Sequence, residues 1–173
     1  VLAEQETRTL KAQKDPGLVS ISPAELAALP NIGEVDIFRS LQLLPGVSGT
    51  NDASSGLYVR GGAPDQNLVL FDGMTIHHVD HFYGFFSAFN VDAVKDVQFY
   101  KGGFPAKYGG ALSSVVDMTG KTGDQNRMRG GLGANLMSAH ADIEIPLGGH
   151  GSILATGRST YGSSPLAESI YKY

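Results

Sequence analysis

His77-His78-Val79-Asp80-His81 places three imidazoles and one carboxylate within five residues, a donor set that suits zinc, nickel, copper or iron. If Ile76 to Val79 runs as a strand, His77 and His78 point to opposite faces, and only a loop brings all three imidazoles to one ion. No metal and no cofactor is assigned. Two fragments carry catalytic residue types: Ser169-Ile170-Tyr171-Lys172 fits S-x-x-K, and Lys121-Thr122-Gly123 fits K-T-G, both elements of penicillin-recognising serine enzymes. Their order is reversed, no S-D-N accompanies them, and Ser169 falls close to the last residue of the sequence, so both are read as chance. There is no G-x-S-x-G, P-loop or H-E-x-x-H. No catalytic residue is assigned, and the chain reads as something other than an enzyme.

The elements that carry these residues follow from periodicity and turn chemistry. Residues 1–20 are mostly polar and read as a leading strand or tether. Ser22-Pro23-Ala24-Glu25 is a capping box with proline at the first helical position, predicting a short helix that ends at Pro30. A second helix is expected from Asn31, with Glu34 three residues on, burying Ile37, Phe38, Leu41 and Leu44 and stopping at Pro45-Gly46. From Gly56 the period becomes two, with Leu57 and Val59 on one face and Tyr58 and Arg60 on the other. Gln66 to Phe71 is apolar on both faces, and Asp72-Gly73 turns it into Met74-Thr75-Ile76, so these segments are expected to share one sheet. Asn90 caps a single turn through Ala93, after which Lys95, Val97, Phe99 and Lys101 alternate with Val94, Asp96, Gln98 and Tyr100 as another strand, and Ser114 to Thr119 forms the last strand. Short helices beside about four strands describe a small α+β domain.

After a polar break at 121–127 the pattern changes. Met137, Ala139, Ala141, Ile143, Ile145 and Leu147 alternate with Ser138, His140, Asp142 and Glu144. Gly148-Gly149-His150-Gly151 turns the chain, and Ile153, Ala155 and Tyr161 then face away from Ser152, Thr156, Arg158 and Thr160. Two such strands of about ten residues carry the pattern of a transmembrane β-barrel, although an amphipathic hairpin of a soluble protein alternates in the same way. A hairpin is not stable alone, so these strands need partners beyond this sequence.

Composition bounds the class. The 173 residues include 23 glycines and neither cysteine nor tryptophan. That glycine share argues for tight turns rather than long helices, and the missing cysteine removes disulfides and thiolate chemistry. The net charge is −4, and the 13 Lys and Arg are scattered, which argues against nucleic acid as a partner. The sequence opens on Val1 with no secretion signal or membrane helix, as expected for an internal piece of a longer chain.

Leu57-Tyr58-Val59-Arg60-Gly61-Gly62, Leu68-Val69-Leu70-Phe71-Asp72-Gly73 and Lys101-Gly102-Gly103-Phe104-Pro105-Ala106-Lys107-Tyr108-Gly109-Gly110 recur in this order, preceded by Leu41-Gln42-Leu43-Leu44-Pro45-Gly46-Val47. In that order and spacing they resemble the plug domain of TonB-dependent outer-membrane receptors. Phe82, Phe85 and Phe89-Asn90 look most like receptors of Bacteroidetes-type bacteria, although the extra N-terminal domain common there is not present and no TonB box is recognised.

The resemblance implies an α+β plug domain with a small mixed β-sheet and short helices, followed by the first antiparallel strands of a transmembrane β-barrel. The corresponding boundaries are a leading segment at 1–20, the plug at 21–121, a linker at 122–128 and the first two barrel strands at 129–173. It implies a Gram-negative outer-membrane location with the plug in the barrel lumen, gating import of a ferric chelate, glycan, cobalamin or peptide. The implied partners are the TonB complex, the rest of the barrel from the same or a second chain, outer-membrane lipid and a surface lipoprotein lid. Apical loops would offer His77, His78, Asp80, His81, Phe82, Tyr83, Asn51 and Asp52 to the ligand. Arg60 and Lys101 would pair with barrel-wall carboxylates as a latch. The alternative is a soluble periplasmic module that binds metal through the His77 to His81 loop.

Overall fold

The computed structural model describes residues 17–29, 35–49, 56–81, 86–135 and 138–160. In chain order the strands are β1 (Leu18–Ile21), β2 (Val47–Ser48), β3 (Tyr58–Val59), β4 (Leu68–Phe71), β5 (Met74–Thr75) and β6 (Asp80–His81). They continue as β7 (Phe86–Ser87), β8 (Val94–Tyr100), β9 (Val115–Gly120), β10 (Arg129–Ala134), β11 (Ser138–Pro146) and β12 (Ser152–Thr160).

Local chemistry accounts for most boundaries. The Ser22 hydroxyl accepts from the Glu25 N–H while the Glu25 carboxylate takes the Ser22 N–H at 2.6 Å, and this box starts the helix Pro23–Ala27. The second helix, Ile37–Gln42, begins later than its sequence suggested. The expected cap at Asn31 with Glu34 lies outside the described residues, and Asp36 takes the capping role, its carboxylate accepting from the Arg39 N–H at 3.0 Å. An acidic cap in extended conformation satisfies an orphan N–H and complements the helix dipole. Leu44 to Val47 then closes a turn with Pro45 second and Gly46 at φ +80°, the arrangement that requires glycine. Asp72 and Gly73 both have positive φ, the mark of a two-residue hairpin turn, and pair Leu70 with Thr75 and Phe71 with Met74. Asn90 caps the turn Val91–Ala93 through the Asp92 N–H.

The main sheet has the order β1-β8-β9-β4-β5. β9 runs parallel to β4 and antiparallel to β8, so the sheet is mixed. Both helices pack on one face, where Leu26, Ile37, Phe38, Leu41, Val97 and Phe99 form the larger core. The glycine-rich tract after β8 covers the other face, placing Tyr108 against Tyr100 and Val115.

The leading segment does hold a strand: β1 joins the main sheet along β8, with Leu18 opposite Tyr100, so the sheet begins before residue 21. Three features depart from the sequence expectations. β3 does not join it: left-handed Arg60 and Gly61 turn the chain directly after Val59, and β3 pairs instead with β2. Val94 shares the core of Val97 and Phe99 because a bulge between Val94 and Asp96 breaks the strict alternation. Among the described residues the C-terminal part holds three strands where two were expected, an antiparallel sheet in the order β10-β11-β12.

Phe99 lies at the centre of the larger core with no exposed surface. Phe99→Ala is expected to cost about 3–5 kcal/mol. Urea unfolding followed by tyrosine fluorescence should show a lower midpoint with unchanged slope; an unmoved midpoint would contradict this core assignment.

Candidate functional site

The β4–β5 hairpin carries the chain into the histidine segment. The Ile76 N–H extends the pairing to the Val69 carbonyl at 2.9 Å, and Ile76 and Val79 both pack on the larger core. His77 and His78 stand exposed between these two anchors. Beyond them Asp80 and His81 form β6, whose backbone pairs with Ser87 and Phe86 of β7. The Ala88 N–H closes this hairpin on the Val79 carbonyl at 3.0 Å. Phe89 then stacks between Phe38 and Phe71, with centroids 5.8 and 6.2 Å away, fastening the base of the loop to the core. Phe82 and Tyr83 lie outside the described residues. Among the described residues no group of three or more metal-binding side chains could hold an ion.

Asn51 and Asp52 also lie outside the described residues, but the ends of their loop are defined. The Gln42 amide donates to the Gly56 carbonyl at 3.0 Å. A Cβ on Gly49 would fall 2.8 Å from the same side chain, so Gln42 packs against both ends of the loop. Nothing in the local sequence marks this glutamine, since a polar residue in a helix is ordinarily solvated.

Arg60 and Lys101 converge although they come from different motifs. The Arg60 N–H donates to the Gly46 carbonyl at 3.0 Å, and the Lys101 ammonium donates to the Pro45 carbonyl at 3.1 Å. A Cβ on Gly102 would meet the Arg60 guanidinium at 3.1 Å. The Lys101 N–H binds the Gly17 carbonyl at 2.8 Å, so both cations sit where the chain enters β1.

Tyr108 closes the glycine-rich tract onto the sheet. Its hydroxyl donates to Asp117 at 2.7 Å on β9, and its ring lies 5.3 Å from that of Tyr100. Burial, then the bonds to Asp117 and Tyr100, push its hydroxyl well above the ordinary tyrosine value of 10.0.

The sheet β10–β12 is inside out by the standard of a soluble protein. Glu144 is 5% exposed and Ser138 fully buried, whereas Leu132, Ile145 and Ile153 are exposed at 91%, 36% and 49%. Register places Leu132 opposite Ala141 and Ile145 opposite Ile153, so the apolar residues form one continuous outer face. The polar face turns toward the mixed-sheet unit: Lys121 meets Glu144 at 2.6 Å, and His140 Nε2 lies 3.8 Å from Asp92 Oδ2.

Residues 12–115 match the family model described as TonB-dependent Receptor Plug Domain. Among solved structures, the siderophore receptor PirA from Pseudomonas aeruginosa superposes with a TM-score of 0.63 at 22% identity, over 84% of this chain and 29% of its own. PirA from Acinetobacter baumannii gives 0.60 at 18% identity, over 87% and 25%. The ferric-catecholate import receptor Fiu from E. coli K12 gives 0.57 at 18% identity, over 83% and 21%. At these identities the likeness is one of fold, and the chain spans under a third of each receptor.

The Tyr108 environment has a titration signature. A raised folded-state value favours the neutral phenol, so this contribution is fully present below about pH 10 and lost as pH rises above it. Tyr108→Phe should leave the absorbance amplitude of tyrosinate formation up to about pH 11 unchanged. Loss of one of the seven tyrosine increments would contradict this environment.

Proposed function

Since this chain belongs to the TonB-dependent receptor plug domain family, a transport family without catalysis, we propose that it closes the pore of an outer-membrane barrel and gates energy-coupled import. The observation that carries this reading is the inverted sheet. An exposed apolar face with buried carboxylate and hydroxyl groups is unfavourable in water and favourable where lipid lies outside and a polar plug inside. The nine-residue length of β11 and β12 suits tilted strands crossing a bilayer. Among the described residues the outer edges of β10 and β12 carry no further strand, and they call for the remaining ones, from the same polypeptide or a second one, because an open edge is not tolerated in lipid. Family membership does not favour the soluble metal-binding module.

Within this reading residues 21–121 form the plug and 122–128 the linker, with β1 added to the plug sheet. The exposed His77 and His78, with Asp80, His81, Phe82 and Tyr83, belong to a loop that faces the ligand, and Asn51 and Asp52 to its neighbour. Three matched structures are siderophore receptors or importers by name, which makes a ferric chelate the first substrate class to try, ahead of glycan, cobalamin or peptide. The inner-membrane TonB complex would pull from the N-terminal side. Tension passing Gly17 reaches Lys101 directly, and thus the place where Arg60 and Lys101 would latch to wall carboxylates. Outer-membrane lipid is a partner of the apolar face, and a surface lipoprotein lid is proposed as a further one.

Two experiments test this reading in the full-length receptor. Ala141→Lys places a charge at mid-strand on the lipid face and should cost about 2–4 kcal/mol, abolishing heat-modifiable barrel in outer-membrane fractions, while Thr156→Lys on the lumenal face should assemble. Equal assembly of both would sink the barrel reading. Replacing His77 and His78 with alanine should raise the half-saturating concentration for uptake of a ferric catecholate roughly tenfold with maximal uptake retained. An unaltered concentration would remove this loop from the ligand site.

A further inference from the structure

The tract between plug and wall is held by more than its covalent continuity. Gly120 is fixed to the plug by its N–H to the Asp72 carboxylate at 2.9 Å, and the Lys121 N–H by the Ala93 carbonyl at 2.8 Å. From there, three of the next four residues bind the strands. The Lys121 ammonium meets Glu144 Oε1 at 2.6 Å, and the Asp124 N–H donates to Glu144 Oε2 at 2.7 Å. The Ser152 hydroxyl donates to the Gly123 carbonyl at 2.6 Å. Gly123 is buried, and a Cβ there would meet the Ser152 side chain at 3.1 Å, so the linker lies tight against β12.

Asp124 completes the arrangement. One carboxylate oxygen accepts from the N–H groups of Asn126 and Arg127, at 2.8 and 3.2 Å, which folds the linker into a turn. The other pairs with Arg129 Nε at 2.9 Å, and Arg129 stands opposite Glu144 in the register of β10 and β11. Two cations and two anions therefore alternate around one point. Glu144 is the buried member, with each oxygen spent on the linker. Moving the linker away would strip both oxygens of their hydrogen-bonded partners and leave only Arg129, across the strand pair, to offset the charge.

We propose that Glu144 is a positioning residue that holds the exit tract Lys121–Asp124 against the barrel wall and so closes the seam between plug and wall on that side. This rests on the barrel reading above. The seam is held by charge pairing and a close backbone approach. Asp92 and His140, at 3.8 Å, form a looser contact elsewhere on the same wall.

The test uses full-length receptor in outer membranes, in a cysteine-free background. Glu144→Gln keeps the shape and removes the charge, and Glu144→Ala removes both. Each is expected to raise sensitivity to a large hydrophilic antibiotic about tenfold while the barrel stays heat-modifiable. Gly123→Cys with Ser152→Cys, oxidised in the Glu144→Ala background, should restore exclusion, and reduction should reopen it. Rescue by a bond between two other residues separates seam closure from a general defect of folding. Wild-type exclusion in both Glu144 variants, or a leak that the oxidised pair leaves open, overturns the proposal. Absence of heat-modifiable migration in the unaltered receptor would instead overturn the barrel reading.

Discussion

β9 is hydrogen-bonded along both edges, to β8 and to β4, and Val115, Val116 and Met118 have no exposed surface. A strand in that position has no water on either side, so each neighbour must supply both backbone partners and apolar cover. The two helices meet this demand on one face, and the glycine-rich tract from Lys101 to Gly110 meets it on the other. Asp117 is the half-buried polar residue between Val116 and Met118, and the Tyr108 hydroxyl satisfies it by reaching over from the covering tract. The same strand ends at Gly120 and delivers the chain to the linker, so the position of β9 determines where the barrel wall can begin.

The wall reverses the usual distribution of polarity, and that reversal makes the two parts of the chain interdependent. Lumenal groups such as Glu144 and His140 would face an aqueous pore if the plug were absent, while Leu132 and Ile153 have no cover within the described residues. In the proposed reading, lipid outside and a polar plug inside would satisfy both faces at once. Charge pairs would suit the gated plug proposed here, because they are directional and weaken once water enters. Tight apolar packing between plug and wall would resist any such shift.

Glycine supplies closeness as well as turns. Gly17 abuts the Gly102 carbonyl too closely to admit a side chain, whereas a Cβ on Gly123 would lie 3.0 Å from the Ile153 carbonyl, a tight contact that a small shift relieves. These contacts join segments far apart in sequence, where nothing in the local pattern marks the need for a bare backbone. Gly46 and Gly73 differ, since their positive φ is a local requirement that turn residues announce.

What the sequence determined by itself was local or periodic. The Ser22–Glu25 box, the Asp72-Gly73 hairpin, the Asn90 cap and the alternation along β11 and β12 each depend on residues a few positions apart, so short-range sterics and hydrogen bonding suffice to specify them. The family resemblance was legible because such signals recur in a set order. Tertiary structure alone decided the rest. It brought β1 to β8, set β3 against β2, and added β10, whose Gly130, Gly131 and Gly133 leave only Leu132 to show an apolar period. It also brought Arg60 and Lys101 to one turn, and Lys121, Asp124 and Arg129 around Glu144. These pairings join residues up to 82 positions apart, as Leu18 and Tyr100 are, and depend on which faces remain unburied once the sheet has formed, which no local pattern encodes.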